Sequence, residues 1–72
     1  MEQNFILQRI SENILIERRR KRYTQEVLAE KADISQRYLS RIESAKVNPS
    51  ITVIINICEA LDISPDAILN FS

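Results

Sequence analysis

Apolar residues recur along this chain at intervals of three and four, and strict alternation is scarce, so helices rather than strands are expected throughout. Ile6, Ile10 and Ile14 fall at every fourth position. They draw one stripe along a first helix that runs down to the basic run Arg18-Arg19-Arg20-Lys21-Arg22. Cations at that end complement the helix dipole, so the run reads either as a solvated helix end or as a set of phosphate contacts. Thr24 is expected to cap a second, short helix with Glu26 in its first turn and Leu28, Ala29 and Ala32 on one side. Asp33-Ile34-Ser35 reads as a turn, and Ser35 as the cap of a third helix with Leu39 and Ile42 facing inward. Ser44 to Pro49 reads as a loop. Asn48-Pro49-Ser50 is a turn and cap signal, because the residue before a proline is pushed out of the helical region. A fourth helix from about Ile51 to Leu61 turns Ile54, Ile57, Cys58 and Leu61 to one face. Ser64-Pro65-Asp66 then supplies a cap, a proline at the first helical position and an acid in the first turn. That predicts a short fifth helix carrying Ile68 and Leu69. The expected fold is all-α, with five helices in a single domain over residues 1–72.

Composition narrows the function. Seventy-two residues bury a limited fraction of their surface, so pairing with a second copy is expected to add stability. A hydrophobic content of 44% is too high for a disordered chain. One cysteine, Cys58, excludes a disulfide framework and fits a reducing cytoplasm, and it is expected in the core. With no histidine and no glycine, a zinc-type cluster and a phosphate-cradling loop are not expected. The expectation is therefore no metal, no cofactor and no enzyme: a lone cysteine without histidine is not a nucleophile arrangement. No secretory leader is expected, since Glu2 follows the first residue and no apolar run is long enough. The longest apolar-rich stretch, Ile51 to Leu61, is broken by Thr52, Asn56 and Glu59, so no membrane span is expected.

The net charge of zero conceals an asymmetry. Residues 1–23 hold six basic and three acidic side chains, residues 24–48 four of each, and residues 49–72 only Glu59, Asp62 and Asp66. One part of the molecule suits an anionic partner, and another is kept away from it.

The stretch from Thr24 to Ser44 carries the sharper signal. Two short helices joined by a three-residue turn must approach closely, and Ala29 is small enough to permit it. Asp33 stands where the turn requires positive φ, which aspartate tolerates better than most residues. Ile34 plugs the gap beneath. With Leu39 and Ile42 inward, Gln36, Arg37, Ser40 and Arg41 point away from the core. Arginine reaches O6 and N7 of guanine, and glutamine pairs with adenine N6 and N7. The pattern is a helix-turn-helix whose second helix is built to read base edges in a major groove.

Tyr23-Thr24-Gln25-Glu26, Leu28-Ala29-Glu30-Lys31, Ile34 to Glu43 and Asn48-Pro49-Ser50 together resemble the Cro/CI repressor (xenobiotic-response-element type) helix-turn-helix family, over about Ile14 to Leu69. The resemblance implies a lambda-repressor-like DNA-binding domain. It implies that Gln25 holds a phosphate while buttressing the recognition helix, and that Gln36, Arg37 and Arg41 read bases, with Ser40 a lesser candidate. Tyr38, Lys46 and Asn48 match backbone-contact positions. Arg18 and Glu43 match a pair that forms an inner salt bridge in some relatives. The family commonly has glycine where this chain has Arg22, Asp33, Ala45 and Asp62. Arg22 and Ala45 accept left-handed geometry least readily, at roughly 1 kcal/mol each, so the ends of the first and third helices are expected to differ locally. Residues 1–9 exceed the family's minimal domain, which implies an extended first helix.

Val53 and Ile55 flank the core stripe of the fourth helix, and four neighbouring apolar positions on a short helix cannot all face inward. With Phe71 they form a candidate self-association patch. The leading expectation is thus a cytoplasmic, homodimeric transcription regulator, a repressor or controller that reads a palindromic operator in double-stranded DNA with the helix at about 36–44. The alternative is an antitoxin or adaptor that binds a partner protein through the fourth helix and the C-terminus.

Overall fold

Three helices begin on a hydroxyl side chain. In the computed structural model of the chain, which describes residues 3–71, Thr24 Oγ1 accepts from the Val27 amide at 3.1 Å, Ser35 Oγ from the Tyr38 amide at 3.0 Å and Ser50 Oγ from the Val53 amide at 3.2 Å. Each satisfies a first-turn donor that has no partner inside its helix. The helices are α1 (Gln3–Arg20), α2 (Gln25–Lys31), α3 (Gln36–Glu43) and α4 (Ile51–Leu61), with no strand among the described residues.

All four helices end in the same way. Arg22, Asp33, Ala45 and Asp62 each adopt left-handed backbone, with φ between 56 and 59°. After α1 the Tyr23 amide donates to Arg18 O and the Arg22 amide to Arg19 O. The same double bond recurs from Ile34 and Asp33 after α2, Lys46 and Ala45 after α3, and Ile63 and Asp62 after α4. This Schellman arrangement satisfies carbonyls that the helix leaves open. The expected local departure at Arg22 and Ala45 therefore does not occur. Two hydrogen bonds per terminus hold a conformation that costs roughly 1 kcal/mol for a residue with a Cβ.

The core is a single cluster. Ile10 and Ile14 of α1, Leu28 and Ala29 of α2 with Ala32 just beyond it, Leu39 and Ile42 of α3, and Ile54, Ile57, Cys58 and Leu61 of α4 are all buried, together with Ile68. Burying a Leu or Ile side chain contributes about 1.5–3 kcal/mol, so the inward positions of each helix fix its rotation about its own axis. Eighteen residues of α1 reach about 27 Å, most of the 32 Å long axis of the molecule. The shorter helices pack against that rod, and Ile6 adds a half-buried contact near its start.

The expected fifth α-helix is instead one 3-10 turn, Pro65–Ala67. Ser64 precedes it without a side-chain capping bond. The amides of Ile68 and Leu69 both take the Pro65 carbonyl, at 3.0 and 2.9 Å. Asn13 of α1 holds the chain just beyond this turn: its Nδ2 donates to Ile68 O at 2.9 Å and to Asn70 O at 3.2 Å. Ile68 enters the core, and the chain stops winding. Among the described residues, no helix is long and apolar enough to cross a membrane.

Candidate nucleic-acid interface

The two faces of α3 differ sharply. Leu39 and Ile42 are 0% exposed, whereas Gln36, Arg37 and Arg41 are exposed and Ser40 is half-buried beside them. Arg37 and Arg41 lie four residues apart, about 6 Å along the axis, the rise of roughly two base pairs of B-form DNA. Like charges at this spacing destabilise a helix by about 0.2–0.5 kcal/mol, and neither arginine forms an ion pair among the described residues. Fold stability does not explain that pairing.

The far end of α3 is locked by a polar cluster. Arg18 of α1 reaches Glu43 with Nε to Oε2 at 2.7 Å and Nη2 to Oε1 at 3.0 Å, a bidentate pair. Their side chains are only 12% and 4% exposed. Arg18 Nη1 donates to Tyr23 O at 2.8 Å, and Gln25 Nε2 donates to Glu43 Oε1 at 3.0 Å. One carboxylate thus joins α1, the turn after it, the first residue of α2 and the last of α3. Because this cluster and the Leu39 and Ile42 side hold α3 from within, its outer face has a fixed aim. Gln25 is half-buried, with one of its two amide hydrogens engaged by Glu43.

The remaining expected residues are less uniform. Lys46 and Asn48 are exposed in the segment between α3 and α4, on the side where α3 ends. Tyr38 is half-buried, with its ring packed on the core. On α4, Ile55 is exposed, but Val53 is half-buried and packed on the core, as is Phe71 beyond the 3-10 turn. The more open neighbour of Ile55 is Ile51, at 61% exposure. Ile51 lies outside the patch expected from the sequence, although its four-residue spacing from Ile55 puts the two on one side of α4. The two bonds from Asn13 left no sequence signal, since their acceptors lie more than fifty residues along the chain, whereas the buttress expected of Gln25 takes the form of its bond to Glu43.

Cys58 is buried, and burial pushes its thiol above the ordinary value of 9.0. A raised thiol pKa leaves little thiolate to act as nucleophile. No group of three or more metal-binding side chains is assembled among the described residues.

An all-α domain that holds a short helix by its inner face and turns glutamine and arginines outward is a helix-turn-helix DNA-binding domain. The helix-turn-helix family profile matches residues 14–68, and the chain belongs to that family, of the Cro/CI type. Solved structures agree. The restriction-modification controller protein C.AhdI from Aeromonas hydrophila is 27% identical with a TM-score of 0.84, over 86% of this chain and 94% of that one. The restriction-modification controller protein C.Esp1396I is 35% identical with a TM-score of 0.81, over 83% and 78%. The clp gene regulator ClgR from C. glutamicum is 26% identical with a TM-score of 0.85, over 89% and 83%. No curated protein sequence matches the chain. The protein is a DNA-binding transcription regulator with a lambda-repressor-like fold.

Proposed function

We propose that this regulator acts as a homodimer on a palindromic operator, each copy laying α3 into a major groove, with two-fold-related helices about 34 Å apart. The observation that carries the reading is the outward row Gln36, Arg37, Ser40 and Arg41 on a helix whose other face is sealed. Gln36, Arg37 and Arg41 read base edges, and Ser40 makes a lesser contact. Gln25, Tyr38, Lys46 and Asn48 hold phosphates and set the register. Arg18 and Glu43 serve structure, fixing the angle at which α3 leaves the body. Ile51 and Ile55 supply the exposed apolar part of the contact between copies, with Val53 and Phe71 at its margin. We read residues 3–9 as an extension of α1 beyond the family's minimal domain, because the profile match begins at residue 14. The whole chain is read as one domain acting on cytoplasmic DNA, without a catalytic step of its own.

Two of the relatives are restriction-modification controllers, which supports that narrower role here. The antitoxin or adaptor reading draws only on the open α4 surface. Selection of bound fragments from a random duplex pool tests the main proposal. The expected product is an inverted repeat with half-sites about one helical turn apart. Recovery of fragments with no shared sequence would remove the base-reading assignment.

A further inference from the structure

The basic turn after α1 remains outside the interface described so far. Arg19, Lys21 and Arg22 are all exposed and form no ion pair among the described residues. Their neighbours are already engaged: Arg18 is held by Glu43, and Arg20 Nη1 by Glu17 at 3.2 Å. The helix dipole accounts for Arg19 but not for Lys21 and Arg22. Arg18, Arg19 and Arg20 already occupy the last turn of α1, and the dipole's effect fades beyond it, where Lys21 and Arg22 lie.

Position supplies the second observation. Arg18 Nη1 holds the Tyr23 carbonyl at 2.8 Å, so the turn cannot swing freely. The same guanidinium is bound to Glu43, the last residue of α3, which also accepts from Gln25. Lys46 leaves α3 at this end, its amide on Arg41 O at 2.9 Å. The turn that carries Lys21 and Arg22 is therefore tied, through Arg18, to the same carboxylate that holds Gln25 at the end of α3. Nothing basic follows Lys46 in the chain, so α4 and the segment after it add no positive charge.

We propose that Arg19, Lys21 and Arg22 form a second phosphate-binding track, which grips the duplex backbone beyond the phosphates held by Gln25, Tyr38, Lys46 and Asn48. The track rests on the proposed docking of α3. It reads no bases, so it strengthens binding to any duplex equally and raises the salt dependence of binding.

The test compares the wild-type protein with an Arg19→Gln/Lys21→Gln variant and, separately, an Arg22→Gly variant, on a selected duplex and on one of random sequence. Arg22→Gly removes a charge at a left-handed residue where glycine fits better, so lost binding there is not lost folding. Each phosphate contact removed lowers the slope of log K against log salt by about 0.9. The expected result is a slope shallower by about 2 in the double variant and about 1 in Arg22→Gly, on both duplexes, with the ratio of affinities for the two duplexes unchanged. Unchanged slopes would overturn the track while leaving base reading by α3 intact. A changed affinity ratio would overturn it too, by making these residues readers. Equal wild-type affinity for the two duplexes would sink base reading instead, and the slopes would still decide the track.

Discussion

Arg18 and Glu43 meet through two parallel hydrogen bonds of 2.7 and 3.0 Å across 25 residues of chain. With both side chains nearly out of solvent, the cost of losing one partner is larger than the worth of the pair. A lone carboxylate would be left in a low-dielectric site. Arg18→Ala is therefore expected to destabilise the fold by about 3 kcal/mol. The whole fold is expected to hold only about 4–11 kcal/mol at this length. Replacing both partners, Arg18→Met with Glu43→Leu, is expected to recover only part of that loss, because Tyr23 O and Gln25 Nε2 then lose their partners. Urea denaturation of the three proteins measures the difference; equal midpoints for wild type and Arg18→Ala would show that the pair contributes little.

The base-reading assignment makes its own demand. Arg41→Ala leaves the sealed side of α3 untouched, so stability should stay within about 0.5 kcal/mol of wild type. Binding to the selected operator should weaken by about 1–3 kcal/mol, and base choice should relax at one position of each half-site. A gel-shift titration against operators substituted at single positions measures both effects. Unchanged affinity and unchanged preference would take Arg41 out of the reading set.

Much of this was legible in the sequence because it was local. Caps at Thr24, Ser35 and Ser50 act over three residues, and the inward positions of α2, α3 and α4 follow helical spacing, so elements and core could be placed from pattern alone. The fifth helix failed as an expectation. Its start signal is present, yet Ser64 makes no side-chain capping bond, and Asn13, more than fifty residues earlier, binds the chain at Ile68 and Asn70. The helix ends were misjudged in the opposite direction. The penalty for a Cβ at positive φ was weighed without the paired Schellman bonds that outweigh it. In the interface, the outward row on α3 was visible in advance. Its bracing by Arg18 and by Gln25 came with the family resemblance, and only the partner of Gln25, the Glu43 carboxylate, emerged in three dimensions.

Ala45 offers a direct measure of that backbone cost. It sits at φ 58° with its amide already bonded to Ile42 O, so glycine can replace it without moving the chain. Relief of the Cβ contact gains roughly 1–2 kcal/mol, and the greater freedom of glycine in the unfolded chain takes back about 0.4–1. Ala45→Gly is expected to stabilise the fold by about 0.5–1 kcal/mol, read as a rise of a few degrees in the melting temperature. A fall would mean that the end of α3 is not left-handed in solution.

Cys58 ties stability to alkaline pH. Burial raises its pKa in the folded state above the 9.0 of a free thiol. The unfolded chain thus loses this proton first as pH rises. The thiol's contribution to stability is complete below about pH 9 and is lost as pH climbs from there through the folded value. Cys58→Ala should remove that part of the alkaline decline. It should also cost about 1–2 kcal/mol at neutral pH from the space left in the core. Thiol-reagent kinetics give an independent reading: at pH 8 the folded protein should react far more slowly than the same chain in urea. Equal rates would place the thiol at the surface.

Self-association should depend on Ile51 and Ile55, the exposed apolar pair one turn apart on α4, more than on Val53 or Phe71, which spend contact area on their own core. A pair of glutamates there, Ile51→Glu/Ile55→Glu, faces water in a monomer at little cost but buries unpaired charge in a dimer. The expected outcome is a wild-type protein whose melting temperature rises with its own concentration, as mass action requires of a folded dimer. The double variant should melt independently of concentration and sediment as a single chain. Operator affinity should fall with it, because two half-sites are no longer held by one assembly, while the salt-dependent grip on a single half-site persists. If the double variant still sediments as a dimer, the contact between copies lies elsewhere on the molecule and the α4 patch is free to serve another partner. Titrating the single-chain variant onto a half-site duplex separates the two effects, since α3 reads the same bases whether or not a second copy is attached.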